Sequence, residues 1–211
     1  MMNKMTNAFL ISKIEKLEKG KYKLYFENGD FIWVYGYEIR GMNLEEGMYI
    51  SEQIYKSLYD DIVGKRAKKR ALHLLEKMDR TEQQLREKLL LSEYPLEVID
   101  DAISYVKKFH YIDDARYAQN FTRYRKENLS RQQIKQKLMG KGVARETIDL
   151  AIEEEYDADE KEHIRRLLEK KHFDGSSKDE GEFRRVYNYL LRRGFRSSDI
   201  LKEMKCVGVD W

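Results

Sequence analysis

The chain has 211 residues, 41% of them hydrophobic and 12% aromatic, and its 41 Lys and Arg stand against 38 Asp and Glu, a net charge of +3. Charge this evenly interspersed belongs to solvated helix surfaces and not to a charged tail. The aromatic content excludes a disordered chain, because such rings supply the buried area that offsets chain ordering. The lone Cys206 excludes an internal disulfide, and the absence of any run of about 18 apolar residues excludes a membrane-spanning helix. With no charged-then-apolar leader ahead of Phe9, the expected compartment is the reducing cytosol.

Between Ile11 and Tyr37 apolar residues alternate with period two, and Asn28-Gly29 lies between two strand-like runs as a two-residue hairpin turn. That turn predicts Phe26 opposite Phe31, Leu24 opposite Trp33 and Tyr22 opposite Tyr35, all on one aromatic face, covered by the helix that follows. The run from Phe9 to Leu17 supplies a third strand, since an isolated hairpin is rarely stable in water. Gly36, Gly41 and Gly47 mark turns. Ser51 caps a helix running through Ile54, Tyr55 and Leu58 toward Asp61, where the small domain is expected to end.

From Ile62 the period becomes helical and one pattern returns three times. Thr81…Gln84 and Ser130…Gln133 are capping boxes 49 positions apart. At that offset Leu89 falls on Leu138, Leu90 on Met139, Ile99 on Ile148 and Ile103 on Ile152. A third copy follows at an offset of 52, where Ile134 meets Val186, Leu138 meets Leu190, Met139 meets Leu191, Gly142 meets Gly194 and Ile148 meets Ile200, with the capping box lost. Each unit reads as three helices, the third following a break at Pro95, Gly142 or Gly194. The first helices carry Ala67, Ala71, Leu72 and Leu75; then Tyr117, Phe121 and Tyr124 as a buried stripe; then Ile164, Leu167 and Leu168. The expected fold is mainly α: three tandem three-helix repeats in an elongated array, preceded by a small N-terminal α+β domain of hairpin plus helix. The expected boundaries are 1–61, 62–112, 113–156 and 157–211.

Ile11-Ser12-Lys13-Ile14 in the hairpin domain, Arg70-Ala71-Leu72…Leu75, Thr81…Leu85…Lys88-Leu89, Ile112-Asp113-Asp114…Tyr117-Ala118…Phe121 and Ile134…Leu138…Lys141-Gly142-Val143 together resemble the RecX regulatory proteins. The likeness spans nearly the whole chain, and the front domain is typical of some Gram-positive members. It implies a monomeric, non-enzymatic bacterial protein that binds the RecA filament on DNA along its groove. The implied outcome is inhibition of ATP turnover, strand exchange and SOS-repressor cleavage. DNA, single- or double-stranded, is then met through the filament and only weakly alone; the competing reading is a stand-alone DNA-binding helical repeat. Where many members carry glycine before the second helix of unit two, this chain has Glu127-Asn128-Leu129-Ser130.

A nucleoprotein filament calls for positive charge along an extended surface. Candidates are Lys65, Arg66, Lys68, Lys69 and Arg70 in unit one; Arg123, Arg125, Lys126, Arg131, Lys135 and Lys141 in unit two; and Arg184, Arg185, Arg192, Arg193 and Arg196 in unit three. At helical spacing Arg131, Lys135 and Lys141 are expected to share a face, as are Arg185, Arg192 and Arg196. Taken singly, each is more readily a solvated helix residue, because acids are nearly as numerous. His73, His110, His163 and His172 fall in no metal-ligand spacing, so no metal or other cofactor is expected. Asp113-Asp114 reads as a helix cap and not a catalytic pair. Gly140-Lys141-Gly142 lacks the strand and the Lys-Ser/Thr ending of a phosphate loop and reads as a helix end.

Overall fold

The computed structural model describes residues 8–173 and 179–206. The chain forms two compact units, Met1–Asp113 and Asp114–Trp211.

In the first unit β1 (Ala8–Lys16), β2 (Lys21–Phe26), β3 (Phe31–Tyr35) and β4 (Tyr49–Ser51) form an antiparallel sheet in the order β3-β2-β1-β4. The expected third strand is therefore present, and a short fourth joins it. The hairpin register differs from the expectation by one residue: Tyr25 faces Phe31, Leu24 faces Ile32 and Tyr22 faces Val34. The cause is the turn. Phe26 N–H donates to the Asp30 carbonyl and Gly29 N–H to that of Phe26, so the loop holds three residues, with Gly29 left-handed at φ +89°. Because side chains alternate faces, the slip separates the two aromatic sets. Leu24, Phe26, Ile32 and Val34 are buried on one face, and Phe31, Trp33 and Tyr35 turn to the other.

Gly36 and Gly41 do not mark turns but bound a short helix, α1 (Gly36–Gly41). Glu38 holds its first turn by accepting from the Tyr35 N–H at 2.7 Å. Gly47, at φ +81°, is a turn as expected. Ser51 caps α2 (Glu52–Ser57), its side chain accepting from the Ile54 N–H. Beyond it the helix does not stop. A π-helical segment (Leu58–Gly64) passes directly into α3 (Lys65–Lys77). Gly64 suits this wider winding, since a Cβ there would lie 3.0 Å from the Tyr59 carbonyl oxygen. The junction expected at residues 61 and 62 thus falls inside a continuous helical run. One apolar core extends from Ile11, Leu24 and Ile50 through Leu58, Val63 and Ala71 to Ile99 and Ile103.

With α3, α4 (Glu82–Leu90) and α5 (Leu96–Lys108) complete the first repeat. In the second unit α6 (Asp114–Arg125), α7 (Arg131–Met139) and α8 (Arg145–Glu155) form the second repeat. The third is α9 (Glu160–Lys170), α10 (Glu180–Arg192) and α11 (Ser197–Cys206). Both capping boxes form, at Thr81 with Gln84 and at Ser130 with Gln133. In the third repeat Asp179 caps instead, accepting from the Gly181 N–H.

The turn between second and third helices recurs in all three repeats. Glu93, Gly142 and Gly194 are left-handed, at φ +58°, +82° and +82°. The residues that follow, Tyr94, Val143 and Phe195, donate to the carbonyls of Leu89, Leu138 and Leu190 and are buried. The break in the first repeat therefore lies at Glu93, two residues before Pro95. On α6 the buried face is Ala118 and Thr122; Tyr117 and Phe121 are half-buried and Tyr124 is 76% exposed. The expected aromatic stripe is overturned at Tyr124, because small side chains let α6 and α8 approach closely and leave the bulky ones at the rim.

Candidate filament and nucleic-acid interface

Most of the expected basic residues are bound into the fold of their own unit. On α3, Arg66 forks onto both oxygens of Glu38 at 2.5 and 2.7 Å and donates to the Trp33 carbonyl, and its guanidinium lies 4.2 Å from the Trp33 ring centroid. Its side chain is 16% exposed and that of Glu38 10%, so this pair fastens the sheet to the helix. Lys65 pairs with Asp61 one turn back, and Lys68 with Asp101 on α5. Lys69 and Arg70 are exposed, with no carboxylate in ion-pair contact among the described residues.

In the second repeat Arg123 forks onto Glu155 and Lys126 pairs with Asp157, tying α6 to the end of α8. The hydrogen bond from Arg123 holds the Glu155 carboxyl below the usual carboxylate range, and that from Lys126 does the same for Asp157. Arg131 donates to the Tyr156 carbonyl and lies over its ring, and Lys135 pairs with Asp149. Lys141 lies beyond the end of α7, 5.8 Å from the Tyr117 ring centroid and 5.9 Å from that of Phe121. The expected common face of Arg131, Lys135 and Lys141 does not form, because the helical period ends at Met139. Arg125 is exposed and without an acidic partner among the described residues.

On α10, Arg184 lies 3.6 Å from Glu180, and Arg185 donates to the Gly181 carbonyl. Arg193 lies 4.7 Å from the Tyr189 ring centroid. Arg192 and Arg196 are exposed and have no carboxylate partner among the described residues. Arg196 follows the Gly194 turn, so it leaves the helical face expected for Arg185 and Arg192. The structure thus separates five outward cations, Lys69, Arg70, Arg125, Arg192 and Arg196, from eleven engaged largely in internal contacts. Among the described residues no cluster of His, Cys, Asp and Glu is arranged to hold a metal ion, and no helix is long and apolar enough to cross a membrane.

A second surface feature accompanies the cations. Leu90, Met139 and Leu191 occupy one position of the repeat and are 46%, 53% and 38% exposed. Each directly follows a core leucine, Leu89, Leu138 or Leu190. Their recurrence was visible in the sequence as apolar coincidence, but their exposure was not, since neighbouring helix positions point about 100° apart.

Comparison with known proteins places these repeats. The chain matches the models of the first RecX three-helix domain over residues 67–105, the second over 113–152 and the third over 158–202. It is 33% identical over 198 residues to the regulatory protein RecX of Caldanaerobacter subterraneus subsp. tengcongensis, covering 92% of this chain and 98% of that one. To the regulatory protein RecX of Clostridium beijerinckii it is 28% identical over 216 residues, covering 99% of each. A crystal structure of regulatory protein RecX has the same fold, with a TM-score of 0.60 at 24% identity over 90% of this chain and 96% of that one. A RecX structure from Lactobacillus salivarius also has a TM-score of 0.60, at 20% identity over 70% of this chain. By its three consecutive domains and a relative matched nearly end to end, the chain belongs to the RecX family of regulatory proteins.

Proposed function

We propose that this protein is a negative regulator of the RecA recombinase, binding the RecA–DNA filament along its groove and restraining ATP turnover, strand exchange and SOS-repressor cleavage. Family membership supports the reading, and its relatives carry the name of regulatory proteins and not of enzymes. The observation that carries it is repetition on the surface: each three-helix unit exposes an apolar side chain at the same position, Leu90, Met139 or Leu191, together with outward cations. A partner that is itself a repeating array of subunits on a polyanion is met by repeating apolar contacts and by positive charge. DNA is contacted through the filament, and the regulator acts as a monomer.

The test is ATP hydrolysis by RecA on single-stranded DNA, followed at substoichiometric amounts of this protein. Inhibition is expected, and it should weaken when Leu90, Met139 and Leu191 are all replaced by Glu while the helical circular dichroism is unchanged. No change in hydrolysis at any ratio sinks the proposal. Binding to bare DNA as tight as to the filament, falling steeply with salt, identifies a stand-alone DNA-binding protein instead. Charge reversal at Arg125, Arg192 and Arg196 probes the electrostatic part. Arg131 and Lys135 do not serve that purpose, because they hold α7 to Tyr156 at the end of α8 and to Asp149 within it.

A further inference from the structure

The first unit holds an open cleft of about 720 Å³ between the sheet, α3 and the turn from α4 to α5. Its floor is Trp33 and Tyr94, ring centroids 5.8 Å apart, with the Trp33 Nε1–H donating to the Ser92 carbonyl. Its walls carry Lys21, Lys69, Arg70, Leu72 and Leu91. Arg66 is also there but is spent on Glu38. The other three cations have no carboxylate in ion-pair contact among the described residues. The one acid on the wall, Glu76, lies 3.7 Å from His73 Nδ1. Leu91 is 77% exposed. Three cations without an acidic partner, beside an exposed leucine and a half-buried one, make a surface whose complement is anionic and aliphatic at once.

We propose that this cleft is a docking site for an acidic peptide segment in which carboxylates alternate with aliphatic side chains, the carboxylates meeting Lys21, Lys69 and Arg70 and an aliphatic residue resting on Leu72 and Leu91. Single-stranded nucleic acid carries the same charge but asks for exposed rings on which bases stack. Here the floor rings are closed off, Trp33 being 7% and Tyr94 6% exposed, and the half-buried Tyr35 is already stacked on Tyr37 with ring centroids 5.7 Å apart. The Trp33 ring is already contacted by the Lys21 ammonium and the Arg66 guanidinium, each 4.2 Å from its centroid. What the cleft leaves open is aliphatic, which a peptide uses and a base does not. The site shares Lys69 and Arg70 with the outward cations of the proposed interface, but none of Leu90, Met139 and Leu191 lines it.

The experiment uses the full chain carrying Trp211→Phe, so that Trp33 is the one tryptophan left. A labelled peptide alternating Glu and Leu is titrated by fluorescence anisotropy while Trp33 emission is followed. Parallel titrations use the same peptide with Gln for Glu, the same peptide with Ser for Leu, and an oligothymidylate. The Glu-Leu peptide should bind and shift the Trp33 emission, and both altered peptides should bind at least about tenfold more weakly. The double variant K69E/R70E should lose a similar factor, and R192E/R196E in the other unit should lose nothing. Equal affinity for the Gln peptide, an undiminished affinity of K69E/R70E, or tighter binding of the oligothymidylate through the same residues overturns the proposal. RecA inhibition measured on Leu91→Ser, a cleft residue outside the proposed filament contacts, separates the two readings, because a weakened peptide site with intact inhibition leaves the regulatory function standing.

Discussion

Two junctions, one within each unit, are built in opposite ways. Where the sheet meets the first repeat, a helix runs unbroken from Glu52 to Lys77 and a single apolar core spans both sides, with the largely buried Arg66–Glu38 pair at its edge. Where the second repeat meets the third, each keeps a separate core and the contacts between them are polar. Ser130 Oγ donates to the Arg193 carbonyl, Glu160 accepts from the Arg131 N–H, and Arg166 lies 3.4 Å from Glu127. The lesson is that sequence repetition does not imply equivalent coupling. A continuous core couples its parts cooperatively, whereas a polar seam opens locally at lower cost.

The strongest way to break the contrast is Arg66→Ala. It strands the Glu38 carboxylate in a largely buried site, at a cost of about 3–5 kcal/mol in urea unfolding. In a Trp211→Phe background, Trp33 fluorescence and hydrogen exchange in α3 to α5 should report one common transition. Two separated transitions would show that the sheet and the first repeat are not one folding unit.

The seam between the second and third repeats is probed by Gly194→Ala. A Cβ there would stand 2.5 Å from that of Gln132, on a left-handed backbone at φ +82°. Left-handed strain and overpacking together should cost about 2–4 kcal/mol. Exchange should rise around α7, α10 and α11 and stay unchanged in α3 to α5. Gly29→Ala is the control: it is equally left-handed but has open space, so it should cost only about 1 kcal/mol.

The two capping boxes sharpen the comparison further. Thr81→Ala removes a cap and should cost about 1 kcal/mol. Ser130→Ala removes the same cap and also the bond to Arg193, and should cost about 1 kcal/mol more. A total loss for Ser130→Ala of no more than about 1 kcal/mol in thermal unfolding, the worth of a cap alone, would mean that the Ser130 contact across the seam contributes nothing.

The smallest effect expected is a pH dependence. Burial and the nearby Arg166 and Arg193 hold the His163 imidazole below its ordinary 6.5, and its Nδ1 has no hydrogen-bond partner among the described residues. A depressed folded value means that the unfolded chain binds the proton first. Stability is therefore fully present above 6.5 and is lost as pH falls from there through the lower folded value. The third repeat should loosen over that window and His163→Gln should remove the dependence. An unchanged pH profile in the variant would assign it to other groups, such as the Glu155 and Asp157 carboxylates, which Arg123 and Lys126 hold below their ordinary range.

The repeat architecture was legible because its signals are local. Thr81 and Ser130 cap helices through amides three residues on, and Gly142 and Gly194 end helices through their own φ. Periodicity likewise places Leu138, Leu190 and Ile148 in cores from neighbours within two turns. Glu93 escaped this logic, since a left-handed glutamate carries no local sign of its conformation. So did α1, a six-residue helix between glycines held by Glu38 and not by propensity.

The candidate interface was legible only as a set. In a chain where acids nearly match bases in number, nothing local tells whether a cation is spent or available. That was decided by partners far along the chain: Glu38 for Arg66, Glu155 for Arg123, Asp149 for Lys135. The same holds for the hairpin, where one left-handed glycine moved the register and sent Trp33 to the face that floors the cleft. By itself the sequence determined the three units, their caps and their turns, because backbone hydrogen bonding is settled within a few residues. Only the tertiary structure decided which charges face outward, because an ion pair is made by whichever opposite charge the packing brings within reach.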